Sequence, residues 1–113
     1  MRIWDISPNY LCRKHLIAEH GELHALWSII INNKRGYSKH PETCRWRGKL
    51  KALYDRHEKL VKEMEKRGYR HNSPLNIQQA KGKKIQDIYL DKPLKQKKIL
   101  KNKPCDCFTN SKV

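Results

Sequence analysis

An all-α fold is what this sequence predicts, on three observations. Apolar residues recur at helical spacing over two long stretches, residues 8–32 and 41–67. Proline opens each stretch, at Pro8 and Pro41, and Gly68 closes the second. A chain of 113 residues suffices for one compact core and not for two. The expected architecture is a small single domain of two long helices plus a shorter C-terminal helix or basic tail. Residues 1–75 form the expected helical core, and residues 76–113 a lysine-rich segment, partly docked or flexible.

The elements follow in order. Ser7-Pro8 is a helix-start signal, since serine caps free backbone donors and proline fits the first helical position. From there a helix is expected to about Asn32, with Cys12, Leu16, Leu23, Leu26, Trp27 and Ile30 on one arc and Lys14, Gly21, Ala25 and Ser28 outside. Residues 33–40 lack periodicity and read as a basic loop in which Lys34, Arg35 and Lys39 flank Tyr37. The second helix starts near Pro41 or Glu42 and buries Trp46, Leu50, Leu53, Leu60, Val61 and Met64. It is expected to continue to Arg67, though Gly48 weakens it locally and could break it into a short and a long piece. Beyond Ser73-Pro74 comes a lysine-dense stretch, in which a short helix over Leu94 to Asn102 would dock Leu94, Ile99 and Leu100.

Charge narrows the partners. Lys and Arg number 26 against 11 Asp and Glu, a formal charge of +15 that calls for an anionic partner, nucleic acid first. A membrane surface would attract the same charge, but no run approaches the roughly 18 apolar residues of a spanning helix. Arg2 and Asp5 are followed by no apolar run of signal-peptide type, so the expected setting is cytoplasmic with the four cysteines reduced.

The chemistry concentrates beside the apolar arc of the first helix. His15, Glu19 and Glu22 fall within about 60° of one another at its edge. Glu19 or Glu22, partly buried there, is a candidate acid or base, and the plainer alternative is a His15 to Glu19 ion pair at four-residue spacing. The seven residues before Pro8 can extend about 23 Å, while Glu22 lies about 21 Å along the helix, so the chain terminus can return to Glu22. An α-amine, with an ordinary pKa of about 7.7 to 8.0, is a better nucleophile at neutral pH than a lysine. Methionine followed by arginine is trimmed poorly, which leaves Met1 to present that amine.

The stretch His15-Leu16-Ile17-Ala18-Glu19-His20-Gly21-Glu22-Leu23, preceded by Met1-Arg2-Ile3, resembles the N-terminal part of the phage pyrimidine-dimer DNA glycosylase (endonuclease V) family. Gly48-Lys49-Leu50 through Glu65-Lys66-Arg67-Gly68-Tyr69 is similar to that family's second long helix. His40-Pro41-Glu42-Thr43 and Ser73-Pro74-Leu75 resemble bacterial members, and the likeness covers about residues 1–75. It implies a mainly helical glycosylase and abasic-site lyase with no metal and no cofactor. Its partner would be double-stranded DNA with damaged bases, which it would attack as a monomer through an imine on the terminal amine. Met1 would be the nucleophile and Glu22 the catalytic glutamate, with Arg2, His15 and Glu19 binding substrate. Gly21 and Ala25 stand where the phage enzyme carries phosphate-binding arginines, and its aromatic-rich end has no counterpart beyond Phe108. The lesion therefore stays open between pyrimidine dimers, abasic sites and another damaged base. Lys34, Arg35, Lys39, Arg45 and Arg47, with the tail lysines, are the replacement DNA contacts.

Competing readings rest on single motifs. His20-Gly21-Glu22-Leu23-His24 invites a zinc-protease reading, but the glutamate is misplaced by one residue and no third ligand is obvious. Cys105-Asp106-Cys107 could bind zinc with Cys12, Cys44 or a histidine, or form a strained local disulfide, against the plainer reading of two thiols in a flexible end. Trp4 and Trp46 stay open as base-stacking candidates, whereas Trp27 belongs to the core. The main alternative function is a non-catalytic basic nucleic-acid-binding protein. A structural module that sets its basic tail on an acidic protein is the third.

Overall fold

The computed structural model describes residues 2–36, 39–71, 73–103 and 107. Met1, Tyr37, Cys105, Asp106 and Phe108, singled out above, lie outside the described residues. Among those described, four α-helices follow one another: α1 Arg13–Ile31, α2 Pro41–Trp46, α3 Leu50–Lys66 and α4 Pro93–Lys101. Single 3-10 turns occupy Pro8–Tyr10 and Ile77–Gln79, and the only sheet-like pairing among the described residues is an isolated bridge between Lys49 and Gly82. The fold is all-α, and none of these helices is long and apolar enough to cross a membrane.

The first helix begins later than its signal. Ser7 makes no side-chain cap and Pro8 opens only the 3-10 turn. Leu11 is extended and fully buried, so the chain turns inward before α1 starts. There the Cys12 sulfur accepts from the His15 amide, a cap that the serine rule does not anticipate. The apolar arc is otherwise as expected: Leu16, Leu23, Leu26 and Trp27 are buried and Ile30 packs at the margin, with Ile29 added.

The second stretch is divided at Gly48, whose φ of +73° is a conformation that favours glycine. Lys49 makes no side-chain cap, and α3 is instead capped by backbone from far along the chain. The amides of Lys51 and Ala52 donate to the carbonyls of Lys81 and Lys83, while the Lys83 amide donates to Gly48 O at 2.9 Å. This approach requires Gly82, where a Cβ would sit 2.3 Å from the Gly48 oxygen. At the other end α3 stops at Gly68, with the Tyr69 amide returning to Met64 O at 2.9 Å.

Helices α1 and α3 pack against each other, and Ile3, Trp4, Ile6, Trp46, Leu100 and Cys107 complete the core. The C-terminal helix is as expected in place, but its docking face differs. Leu94 is 69% exposed, whereas Leu100 and the polar Gln96 are buried. Gln96 is drawn in because its amide bridges the Asp5 carboxylate and the Asp91 carbonyl, and its Oε1 accepts from the Asp5 amide at 2.7 Å.

Candidate active site

Residues 2–6 run as an extended segment without helical partners, so each buried backbone group needs a side chain. Three amides find carboxylate or amide oxygens: Arg2 N donates to Glu22 Oε2 at 2.7 Å, Trp4 N to Glu19 Oε1 at 3.2 Å, and Asp5 N to Gln96. The carbonyls are met by arginines. Arg45 donates to Ile3 O at 2.8 Å, Arg56 to Ile6 O at 2.6 Å, and Arg67, at the end of α3, to Leu11 O at 2.6 Å. Guanidinium is suited to this work because its fork holds a carbonyl and a carboxylate together. Arg45 also holds Asp5, Glu42 and Ile88 O, and Arg56 also holds Glu19 through two nitrogens at 2.6 and 2.9 Å.

The result is a fixed approach of the segment's first described residue to a carboxylate on α1. Glu22 is half-buried and faces Arg2. The Arg2 guanidinium lies 4.9 Å from the centre of the Trp4 ring and 3.0 Å from Asp91 Oδ2. Hydrogen bonds from Arg2 and Lys95 hold the Asp91 carboxyl below its usual range. Across the other edge of Trp4 stands His15, at 6.1 Å between ring centres, with Lys103 over the same indole at 5.8 Å. His15 Nδ1 meets Cys12 Sγ at 3.1 Å and Cys107 Sγ at 3.3 Å. Burial, followed by the charges of Lys103 and Lys14, lowers the His15 pKa and favours its neutral form.

Against this geometry several expected placements change. Glu19 pairs with Arg56 and not with His15; it is 1% exposed and also accepts from the Trp4 amide, so it holds the segment in place. Burial pushes its carboxyl upward and Arg56 opposes that. Arg45, expected on the DNA surface, is 4% exposed, because its donors are taken up by Ile3, Asp5, Glu42 and Ile88. Trp4 and Trp46 are core residues, not exposed stacking platforms. Lys34, Arg35, Lys39 and Arg47 are exposed, and so are Gly21 and Ala25 on the outer face of α1. Arg56, Gln96 and Asp91 were missed, although a glutamate beside a core arc implies a buried cation to match it.

Among the described residues, two groups of side chains could hold a metal. Cys12, His15 and Cys107 form one. His20, His24, His57 and His71 form the other, each offering one ligand atom within 4.8 Å of the rest. Burial and mutual proximity lower the pKa of His24 and bring that of His20 down to about 4. In the sequence, the zinc-protease reading is set aside for a misplaced glutamate and the lack of an obvious third ligand beside His20 and His24; the fold brings His57 and His71 next to them.

The family model for pyrimidine dimer DNA glycosylase matches residues 1–77, more than half of the chain. No curated protein and no solved structure matches it.

Proposed function

The chain belongs to the pyrimidine dimer DNA glycosylase family, and from that premise we propose that it attacks damaged DNA through the α-amine of Met1 and then nicks the strand. The observation that carries the mechanism is the 2.7 Å bond from the Arg2 amide to Glu22. That bond sets the start of the described chain on the Glu22 carboxylate, which supports a site shared by nucleophile and carboxylate.

The neutral amine forms a bond to C1′ of the sugar as the glycosidic bond breaks and the base leaves with a proton. Opening of the sugar ring gives a cationic imine, which the Glu22 carboxylate balances. Glu22 then assists removal of the C2′ proton, the C3′–O bond breaks with phosphate as leaving group, and water releases the amine. The reaction requires the nucleotide or its partner base out of the stack, and Arg2 beside Glu22, with His15 across Trp4, is the pair that would position it. Arg56 and Glu19 act one step removed, as positioning residues that hold the segment on α1. Lys34, Arg35, Lys39 and Arg47 supply exposed charge for the phosphate backbone.

Borohydride trapping on duplexes carrying a thymine dimer, an abasic site or no damage, followed by sequencing of the cross-linked peptide, tests this reading. A dimer-dependent adduct at the Met1 amine together with strand cleavage is expected. An adduct on the abasic duplex alone would narrow the activity to a lyase. Folded protein with an unblocked terminus and no adduct on any duplex would leave a passive DNA binder.

A further inference from the structure

We propose that His20, His24, His57 and His71 form a binding site for a divalent transition metal, zinc foremost, that staples α1 to α3 and to the chain beyond it. Two of these residues sit four apart on one face of α1, a third lies in the buried stripe of α3, and the fourth follows the Gly68 turn. Ring centres are 4.6 Å apart for His20 and His24, 5.1 Å for His20 and His57, 4.9 Å for His20 and His71, and 5.2 Å for His57 and His71. His57 is fully buried at the centre of the group.

Packing alone leaves this arrangement unfinished. The Nε2 atoms of His20 and His71 are buried with no hydrogen-bond partner among the described residues, a costly omission for ring nitrogens. His24 Nε2 and His57 Nε2 stand 3.1 Å apart. His57 Nδ1 meets Glu58 Oε1 at 3.0 Å, and His24 is hydrogen-bonded to the Ser73 backbone. Neutral rings that donate outward to those acceptors turn two Nε2 lone pairs toward each other, which repel unless a cation lies between them. Four tetrahedral ligands at a zinc–nitrogen distance of about 2.0–2.1 Å lie about 3.3–3.4 Å apart, so the 3.1 Å pair is already near that spacing. The Glu58 contact is the outer carboxylate that orients a ligating imidazole.

Four imidazoles without an open position describe a closed structural site that prefers zinc, with cobalt as its spectroscopic substitute. At 100° per residue, Glu22 lies about 160–200° around α1 from the two histidines, so the metal and the candidate catalytic carboxylate occupy opposite sides of the helix. The site is therefore independent of the mechanism proposed above, and its readouts are metal content and stability.

The test uses the full chain without a histidine tag, stripped with chelator and titrated with Zn2+ and with Co2+, beside the variants H20N/H71N, C12S/C107S and E58Q. Expected are one Zn2+ bound by the unaltered chain and by C12S/C107S but not by H20N/H71N, and a tetrahedral Co2+ spectrum without thiolate charge transfer. Glu58 is on the surface, so E58Q should fold normally while its metal affinity falls about tenfold or more. At a hundredfold excess of Zn2+ over Kd, Tm should rise by about 10 °C. No Zn2+ binding by folded chain at neutral pH would overturn the proposal. So would binding lost in C12S/C107S and kept in H20N/H71N.

Discussion

Replacing Arg56 with methionine tests the clamp beneath the candidate site. The Glu19 side chain is 0% exposed and Arg56 10%, and two guanidinium nitrogens reach the carboxylate at 2.6 and 2.9 Å. Removing one partner of such a pair leaves a buried charge uncompensated, a loss of about 3–5 kcal/mol. The Ile6 carbonyl loses its donor as well, which adds about 1 kcal/mol. With a urea slope of about 2 kcal/mol/M, the midpoint should fall by about 2–3 M, read from tryptophan fluorescence. Replacing both partners, E19M with R56M, should recover most of the loss, because no stranded charge remains. The pH dependence has a definite sign. Burial raises the Glu19 carboxyl, and without Arg56 nothing comparable opposes it, so the folded variant takes up a proton more readily than the unfolded chain. The Glu19 contribution is then greatest at low pH and lost as pH rises, so the deficit relative to the unaltered chain should be larger at pH 7 than at pH 4. A loss below about 1 kcal/mol at pH 7, or a deficit that grows toward acid, would refute the dry, paired Glu19 on which this reasoning stands.

Other perturbations separate chemistry from binding and from framework. Glu22→Gln should bind damaged duplex with little change but slow strand cleavage by about 10²–10⁴-fold, measured in single-turnover assays. Lys34→Gln and Arg35→Gln should each lower the slope of log K against log salt by about 1 if they reach phosphates, as titrations from low to moderate salt will show. Gly21→Arg should raise that slope by a similar amount and add about 0.5–1 kcal/mol of stability, since Gly21 lies mid-helix and an added Cβ meets nothing within 4 Å. Gly82→Ala should cost about 2 kcal/mol or more in denaturant melts, because its φ is +97° and its Cβ would strike the Gly48 carbonyl.

Local signals decided the helices. The spacing of Leu16, Leu23 and Leu26, and of Leu53, Leu60 and Met64, marks the faces that meet because a helix repeats every 3.6 residues whatever surrounds it. Gly48 and Gly68 marked the break and the stop for an equally local reason, the positive φ that each adopts. The neighbourhood of His15, Glu19 and Glu22 was legible too, as ionisable groups beside an apolar arc. Which of them meets what was decided only when distant segments packed. Glu19 is claimed by Arg56, 37 residues away, and not by His15 four residues before it, because only a cation could follow that carboxylate out of water. Arg45 reads on paper like its exposed neighbour Arg47, yet it is spent on Ile3 and Ile88, whose carbonyls arrive from 42 and 43 residues away. His57 sat in the stripe of α3 as one polar residue among apolar ones. Its meaning as the centre of four imidazoles required α1, α3 and the chain after Gly68 to converge, and no periodicity within one helix encodes that convergence.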